Sequence, residues 1–313
     1  MIKKLTFSPN IDILSENIIY LLSLNSRKTI SELADTLRCS RKKVEQRYKK
    51  LFDQEYIKPL LVTNNAYLFK VTVFLKLSQF DTPLITALKN LKGLVKAKEA
   101  LGQYDFSLLF FFLHKDELNQ VLHEINVLCH NCLQTLDVVF HDFEDTLGYK
   151  SFCHDPLFFT YYTPLNSEKK TITRSEWTLI QVLNKNPLIN LKELVQQTGF
   201  SYTQIKEMLD KLKSEGIIRF SIDPNYEKLG LEFHNLLVKI NLGKQSLFEQ
   251  YILRNPRIHW VKRGQGSWDY ILSIPAQTIP EFIDSTRKIR EDNQDIILQC
   301  SALISKIHVK RKL

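Results

Sequence analysis

Residues 29–51 read TISELADTLRCSRKKVEQRYKKL, and this stretch decides the fold. Thr29 followed three positions on by Glu32 forms a capping box. The threonine hydroxyl takes an orphan amide at a helix start, and the glutamate returns to the threonine amide. Leu33, Ala34 and Leu37 then make the apolar face of a short helix. After a turn, Ser40 supplies a second N-cap, and Val44, Tyr48 and Leu51 fall at helical spacing on an inward face. Upstream, Ile18, Leu21 and Leu22 mark a first helix. Two short helices joined by a tight turn, the second capped by serine, predict a helix-turn-helix.

The pattern is written twice. Residues 178–218 align without a gap on residues 17–57, an offset of 161. Ile19 falls on Ile180, Leu22 on Leu183, Glu32-Leu33 on Glu193-Leu194, and Ser40 on Ser201. Asn190 with Glu193 and Ser201 with Gln204 repeat the caps, while Ile205, Leu209 and Leu212 repeat the buried face. Further on, Gly102, Tyr104 and Asp105 correspond to Gly266, Trp268 and Asp269 at an offset of 164. Self-similarity at a nearly fixed offset is the mark of a repeated module.

Beyond each third helix the period changes to that of strands. In the first copy strands are expected at Val71–Leu77, Val95–Leu101, Phe106–Leu113 and Leu133–Phe140, with helices at Leu84–Leu91 and Glu117–Leu128. The second copy gives strands at Leu236–Leu242, Ile258–Arg263, Tyr270–Ile274 and Ile296–Ile304, with helices at Leu247–Leu253 and Pro280–Arg290. The order β-α-β-β-α-β is ferredoxin-like. The expected fold class is therefore α+β: two tandem modules, each a winged helix-turn-helix followed by a ferredoxin-like βαββαβ sandwich. The expected boundaries are 1–62 and 174–225 for the helix-turn-helix units, and 63–150 and 226–313 for the sandwiches. Residues 151–173 form a linker. Its aromatic part (Phe152, Phe158, Phe159, Tyr161, Tyr162) is expected to pack on a sheet, and its polar part, Asn166–Lys170, to act as the hinge.

Composition narrows the function. A chain of 313 residues that is 44% hydrophobic can bury sizeable cores, which excludes global disorder. The longest apolar run, Leu108–Leu113, is six residues, far short of a membrane span. No apolar segment follows Lys3 and Lys4 as a signal peptide requires, so a cytoplasmic protein without membrane contact is expected. The five cysteines are then expected to be reduced. The net charge of +9 is focused: Arg38–Lys50 holds seven basic residues against Glu45 alone, and Lys306–Leu313 adds four more. Such focusing is the footprint of a polyanion partner, here double-stranded DNA.

Both halves resemble the leucine-responsive regulatory protein family, Lrp/AsnC, the feast/famine regulators. The resemblance rests on Glu32-Leu33-Ala34, Ser40, Val44, Arg47, Leu51 and Ile57 in order, and on the Gly-x-aromatic-Asp turn at 102–105. In the second half Glu215-Gly216-Ile217-Ile218, Ile222-Asp223-Pro224 and Leu229-Gly230 add to it. It implies a DNA-binding winged helix and a ligand-sensing sandwich that dimerises through its sheet. With two copies in one chain, it implies an intrachain pseudo-dimer, open to further homo-oligomers. It also implies an amino acid or other small molecule as effector. The copies differ where the family carries glycine: Arg38 stands opposite Gly199, and Glu55 opposite Gly216, so strained turns are expected in the first copy. Residues 199–211 are net neutral, so the first copy is expected to be the DNA reader.

The DNA-binding residues expected are Arg38, Arg41, Lys42, Lys43, Gln46, Arg47, Lys49 and Lys50. Arginine and glutamine near the helix start suit guanine and adenine edges, and the later cations suit phosphates. The plainer alternative is a solvated charged face. Gly102, Tyr104, Asp105, Gly266, Trp268 and Asp269 are candidates for effector binding, or else for tight turns that pack an aromatic on the core. Cys129 and Cys132, with Cys153-His154 beyond, have a zinc-like spacing but lack a second Cys-x-x-Cys. No metal site and no cofactor is predicted. No nucleophile elbow, phosphate loop or His-Glu-x-x-His occurs, so no enzyme is expected. The enzyme alternative is the sirohaem decarboxylases, similar in fold, for which His114, His259 or Arg263 would have to serve. A ligand-sensing or assembly protein with vestigial helix-turn-helix units is the remaining alternative.

Overall fold

A computed structural model describes residues 7–63, 68–112, 114–155 and 172–310. The elements in chain order begin with α1 (Ile13–Leu24), α2 (Ile30–Leu37), α3 (Arg41–Asp53), β1 (Ile57–Thr63), β2 (Phe69–Leu77), α4 (Thr82–Lys89) and β3 (Leu94–Leu101). Next come β4 (Phe106–Phe112), α5 (Lys115–Leu128), β5 (Leu133–Thr146), α6 (Arg174–Lys185), α7 (Leu191–Thr198), α8 (Tyr202–Ser214) and β6 (Ile218–Pro224). The chain ends in β7 (Glu232–Ile240), α9 (Gln245–Arg254), β8 (Trp260–Gly266), β9 (Tyr270–Ala276), α10 (Ile279–Asp292) and β10 (Ile297–Lys310). These elements gather into two compact units, and each unit draws on both halves of the chain: residues 1–64 with 146–231, and 65–145 with 232–313.

The first unit holds both helix-turn-helix segments. Every residue of α1 from Ser15 to Ser23 is buried, because α3, β6 and the 3-10 turn at Lys150–Phe152 all pack on it. Buried polar groups need partners. Glu16 accepts from the Ser8 amide at 2.6 Å and pairs with His154, whose own amide donates to Asn17 Oδ1 at 3.0 Å. The wing expected after each third helix is a single strand. The two strands pair antiparallel with each other, Leu60 opposite Ser221, and among the described residues neither forms a separate hairpin. Leu61 of β1 accordingly enters the core built by Leu179, Leu183, Leu194, Ile205, Leu209 and Leu212.

The second unit is a closed eight-stranded barrel in the order β10-β3-β4-β2-β5-β8-β9-β7. Each half contributes four antiparallel strands, and the β3–β10 pairing, Ala100 opposite Ser305, is one of the joins. Strand alternation separates two faces. Val71, Val73, Leu75, Leu108 and Phe110 face outward to Leu88, Leu118, Val121 and Ile125 of α4 and α5. Phe74, Tyr104, Val139, Leu237, Trp268, Ile271 and Leu303 cluster on the inner face. β5 runs to Thr146, past the expected end at Phe140, since its second half (His141, Asp142, Glu144) carries polar residues that hide the apolar alternation. Of the linker, Phe152 is buried. Phe158, Phe159, Tyr161, Tyr162 and the polar hinge Asn166–Lys170 lie outside the described residues.

The two turns that lack glycine are strained as expected. Arg38 has φ +50° and Glu55 φ +55°, while Gly199 and Gly216 at the matching positions have +73° and +65°. A side chain in this left-handed region costs roughly 1–2 kcal/mol. Glu55 gains little in return, since its ion pairs with Lys58 and Lys228 are exposed. Glu55→Gly is therefore expected to stabilise the chain by about 0.5–1 kcal/mol in urea denaturation; a loss of stability would contradict the strain.

Candidate nucleic-acid interface

The first helix-turn-helix is set by local hydrogen bonds. The Thr29 amide donates to Glu32 Oε2 at 2.7 Å and the Glu32 amide to Thr29 Oγ1 at 3.2 Å, closing the box at the start of α2. Arg38 ends α2 in the left-handed conformation, and Ser40 occupies the N-cap of α3 without a side-chain capping bond. Val44 and Leu51 anchor α3 in the core, and the rings of Tyr48 and Phe52 pack 4.6 Å apart beside them. The opposite face carries Lys42, Lys43, Gln46, Lys49 and Lys50, all exposed, with Arg38 and Arg41 exposed at the N-terminal end. Residues three and four apart share a face, so these side chains form one cationic ridge.

Arg47 stands apart. Its guanidinium bonds to Asp12 through Nε at 3.0 Å and through a terminal nitrogen at 3.0 Å. Burial raises the Asp12 pKa, but hydrogen bonds from Ser15 and the Arg47 charge outweigh it and hold the carboxyl below its usual range. Arg47 thus ties α3 to the N-cap of α1. This tie has no local sequence signal, since the partners are far apart along the chain. Glu45 pairs with Lys49 at 2.9 Å, an exposed i,i+4 contact that leaves the ridge net positive.

The second helix-turn-helix keeps the frame and loses the charge. Asn190 caps α7, Gly199 ends it, and Ser201 with Gln204 closes a capping box on α8. On α8, Lys211 is spent on the buried Glu176 at 2.8 Å, and Lys213 pairs with Asp210 at 3.4 Å. What α8 presents is Tyr202, Thr203, Gln204, Lys206 and Glu207, all exposed and net neutral. Arg27, which no sequence pattern singled out, braces the two segments of this unit. Its guanidinium donates to the carbonyls of Pro187 (3.0 Å) and Ile189 (3.1 Å) and lies 4.1 Å above the Phe220 ring.

The glycine-aromatic-aspartate turns sit in the barrel. Asp105 accepts from Lys76 Nζ at 2.8 Å and the Leu77 amide at 2.7 Å, and Asp269 accepts from the Ile240 amide at 2.9 Å. Trp268 donates to the Tyr104 hydroxyl at 3.0 Å, and that hydroxyl donates to Asp137. Gly102 and Gly266 have φ +134° and +135°. In both turns the aspartate is held by a backbone amide and the aromatic, Tyr104 or Trp268, is buried.

No family model matches the chain. An uncharacterised HTH-type transcriptional regulator of Pyrococcus furiosus is 28% identical over 127 residues, 40% of this chain and 82% of that protein. The HTH-type transcriptional regulator FL11 of Pyrococcus horikoshii is 31% identical over 110 residues, 33% of this chain and 70% of that protein. The chain belongs to the Lrp/AsnC family of HTH-type transcriptional regulators. Among solved structures, the siroheme decarboxylase NirDL superposes with a TM-score of 0.60 at 13% identity, covering 96% of this chain and 94% of that one. At that identity the likeness is one of fold alone.

Within this Lrp/AsnC chain, the residues considered for an enzyme have structural partners. His114 is the N-cap of α5, and His259 is buried with its amide donating to Ser273 O at 3.0 Å. Arg263 is held by Asp142 at 3.0 Å and Glu249 at 2.8 Å. Cys129 caps the end of α5, its thiol pushed up to about 11 by burial and by Cys132. Burial likewise pushes Cys153 up to about 11, and His154 beside it pairs with Glu16. Among the described residues no group of three His, Cys, Asp or Glu side chains could hold a metal, and no helix is long and apolar enough to cross a membrane.

Proposed function

We propose that this chain is a sequence-specific transcriptional regulator that binds double-stranded DNA through α3 of its first helix-turn-helix. The observation that carries the reading is the exposed ridge of Lys42, Lys43, Gln46, Lys49 and Lys50 on the face opposite Val44 and Leu51. Arg41 and Gln46 are assigned to base edges, Arg38, Lys42, Lys43, Lys49 and Lys50 to phosphates, and Arg47 to positioning the helix. The neutral α8 acts as an auxiliary. We further assign the chain to a duplicated module whose copies associate as an intrachain pseudo-dimer, with 1–62, 63–150, 174–225 and 226–313 as its domains. The antiparallel β1–β6 and β3–β10 pairings support this. Modulation by an amino acid or other small molecule belongs to the same reading. Engagement of Asp105 and Asp269 by backbone amides favours the turn role for the six glycine, aromatic and aspartate residues over an effector role.

The test is a duplex-binding titration in rising salt. Four to six phosphate contacts predict that log K falls against log salt with a slope of roughly −4 to −5. Absence of binding at low ionic strength would remove the reading. The whole-length likeness to a siroheme decarboxylase favours one second reading, a tetrapyrrole-handling enzyme. That reading predicts a shift in the visible spectrum when siroheme is added to the full chain, whereas a DNA regulator alone gives none.

A further inference from the structure

Cys129 and Cys132 frame the turn that leads from α5 into β5. The Cys132 amide donates to the Cys129 carbonyl at 2.9 Å, and the Leu133 amide to the same carbonyl at 2.8 Å. A turn closed by such a bond keeps its outer Cα atoms within about 7 Å, close to the range that a disulfide spans. The two thiols share a hydrogen bond. Cys129 is fully buried in the core beside Val121 and Ile125, while Cys132 packs at the margin of that core and is partly exposed.

The turn itself does not call for sulfur. In the second half of the chain Asn293 and Ile296 stand at the aligned positions, offset by 164. There the amides of Ile296 and Ile297 both donate to the Asn293 carbonyl at 2.9 Å, so the backbone bonds are the same. What the first half adds is a pair of adjoining thiols, one accessible and one enclosed. Among the described residues no third His, Cys, Asp or Glu joins the two sulfurs, so a metal would find two ligands where structural zinc takes four.

We propose that Cys129 and Cys132 form a thiol–disulfide exchange site, which a small organic disulfide oxidises to an intrachain cross-link. Cys132, the accessible thiol, loses its proton to solvent and its sulfur attacks one sulfur of the small disulfide. A protein-to-small-molecule S–S bond forms as the original one breaks, and the leaving thiolate takes up a proton. Cys129 then attacks the Cys132 sulfur and expels the second small thiolate, which takes the Cys129 proton. Two protein S–H bonds give way to one S–S bond, and the small disulfide is reduced to two thiols. Burial first, then the charge of Cys132 and its hydrogen bond, push the Cys129 thiol up to about 11. A capped Cys132 carries no charge, so the first step readies Cys129 for the second. The site goes beyond the DNA-binding reading and stands whether or not the chain binds a duplex.

The test is incubation of the folded full chain with excess oxidised glutathione, then unfolding, alkylation of the remaining thiols and peptide mass spectrometry. The peptide holding Cys129 and Cys132 is expected to be lighter by two hydrogens and unalkylated at both, and dithiothreitol restores both thiols. Cys39, Cys153 and Cys300 are expected to alkylate or to hold one glutathione each, without a cross-link. Cys129→Ala is expected to stop at one glutathione on Cys132. In Cys132→Ala, Cys129 is expected to take up glutathione at least about tenfold more slowly than Cys132 does in Cys129→Ala. If either variant fails to fold by circular dichroism, closure in the parent chain decides alone. Both thiols still alkylating, a glutathione that persists on Cys132 of the parent, or closure only in denaturant would each overturn the assignment.

Discussion

Replacing Arg41, Lys42 and Lys43 together by alanine is expected to lower duplex affinity by roughly 10²–10³-fold at about 0.1 M salt, the worth of two lost phosphate contacts and one lost base-edge contact. All three side chains are exposed at the start of α3, and none is among the ion pairs found on that helix, which engage Glu45, Arg47 and Lys49. Their loss should cost binding with little effect on folding. The slope of log K against log salt should flatten by about 1.8, the share of the two phosphate contacts. The matching substitutions on α8, Tyr202, Thr203 and Gln204 to alanine, touch an uncharged surface and should cost less than about threefold. Fluorescence anisotropy with one duplex under both conditions measures this. Equal losses from the two sets would refute the division of labour between the helices.

The largest stability effect is expected from Gly266→Ala. Its φ of +135° is a conformation that side chains rarely adopt, and a Cβ there would lie 2.1 Å from the Val138 carbonyl oxygen of the adjacent strand. A backbone atom in a closed barrel cannot yield as the end of a flexible side chain can. A loss of about 3 kcal/mol or more is expected in urea denaturation. Gly102→Ala, with the Ala302 carbonyl at 2.7 Å, should follow in the same direction and by less. The contrast with Glu55→Gly is informative, because a left-handed residue is relieved in one case and created in the other. A Gly266→Ala variant as stable as the parent would mean that the β5–β8 join opens freely.

What was legible in the sequence is what short-range physics determines. The capping boxes at Thr29–Glu32 and Ser201–Gln204 close within a single helical turn, and the inward positions Val44 and Leu51 repeat at helical period. The left-handed turns at Arg38 and Glu55 were legible for the same reason, since Gly199 and Gly216 stand at the positions that align with them. Partners far apart in the chain left no such trace. The pairing of β1 with β6, the tie between Arg47 and Asp12, and the brace from Arg27 to Pro187 and Ile189 join residues that neither period nor cap relates. The polar inner face of the barrel was hidden because a lysine in a strand reads as a solvated edge. Only closure of the sheet turns Lys98 inward to Asn235 and Ser305. The alignment of residues 102–106 with 266–270 sets Tyr104 opposite Trp268, yet their shared hydrogen bond needs the fold.

The most direct measurement of the central claim is amine acetylation of the full chain with and without bound duplex, read residue by residue by mass spectrometry. Lys42, Lys43, Lys49 and Lys50 are exposed and should react readily in the free protein. The account predicts that duplex DNA slows their acetylation strongly while Lys206 on α8 keeps its rate. Unchanged reactivity along α3 in a sample shown to have bound DNA, or protection confined to Lys206, would contradict it.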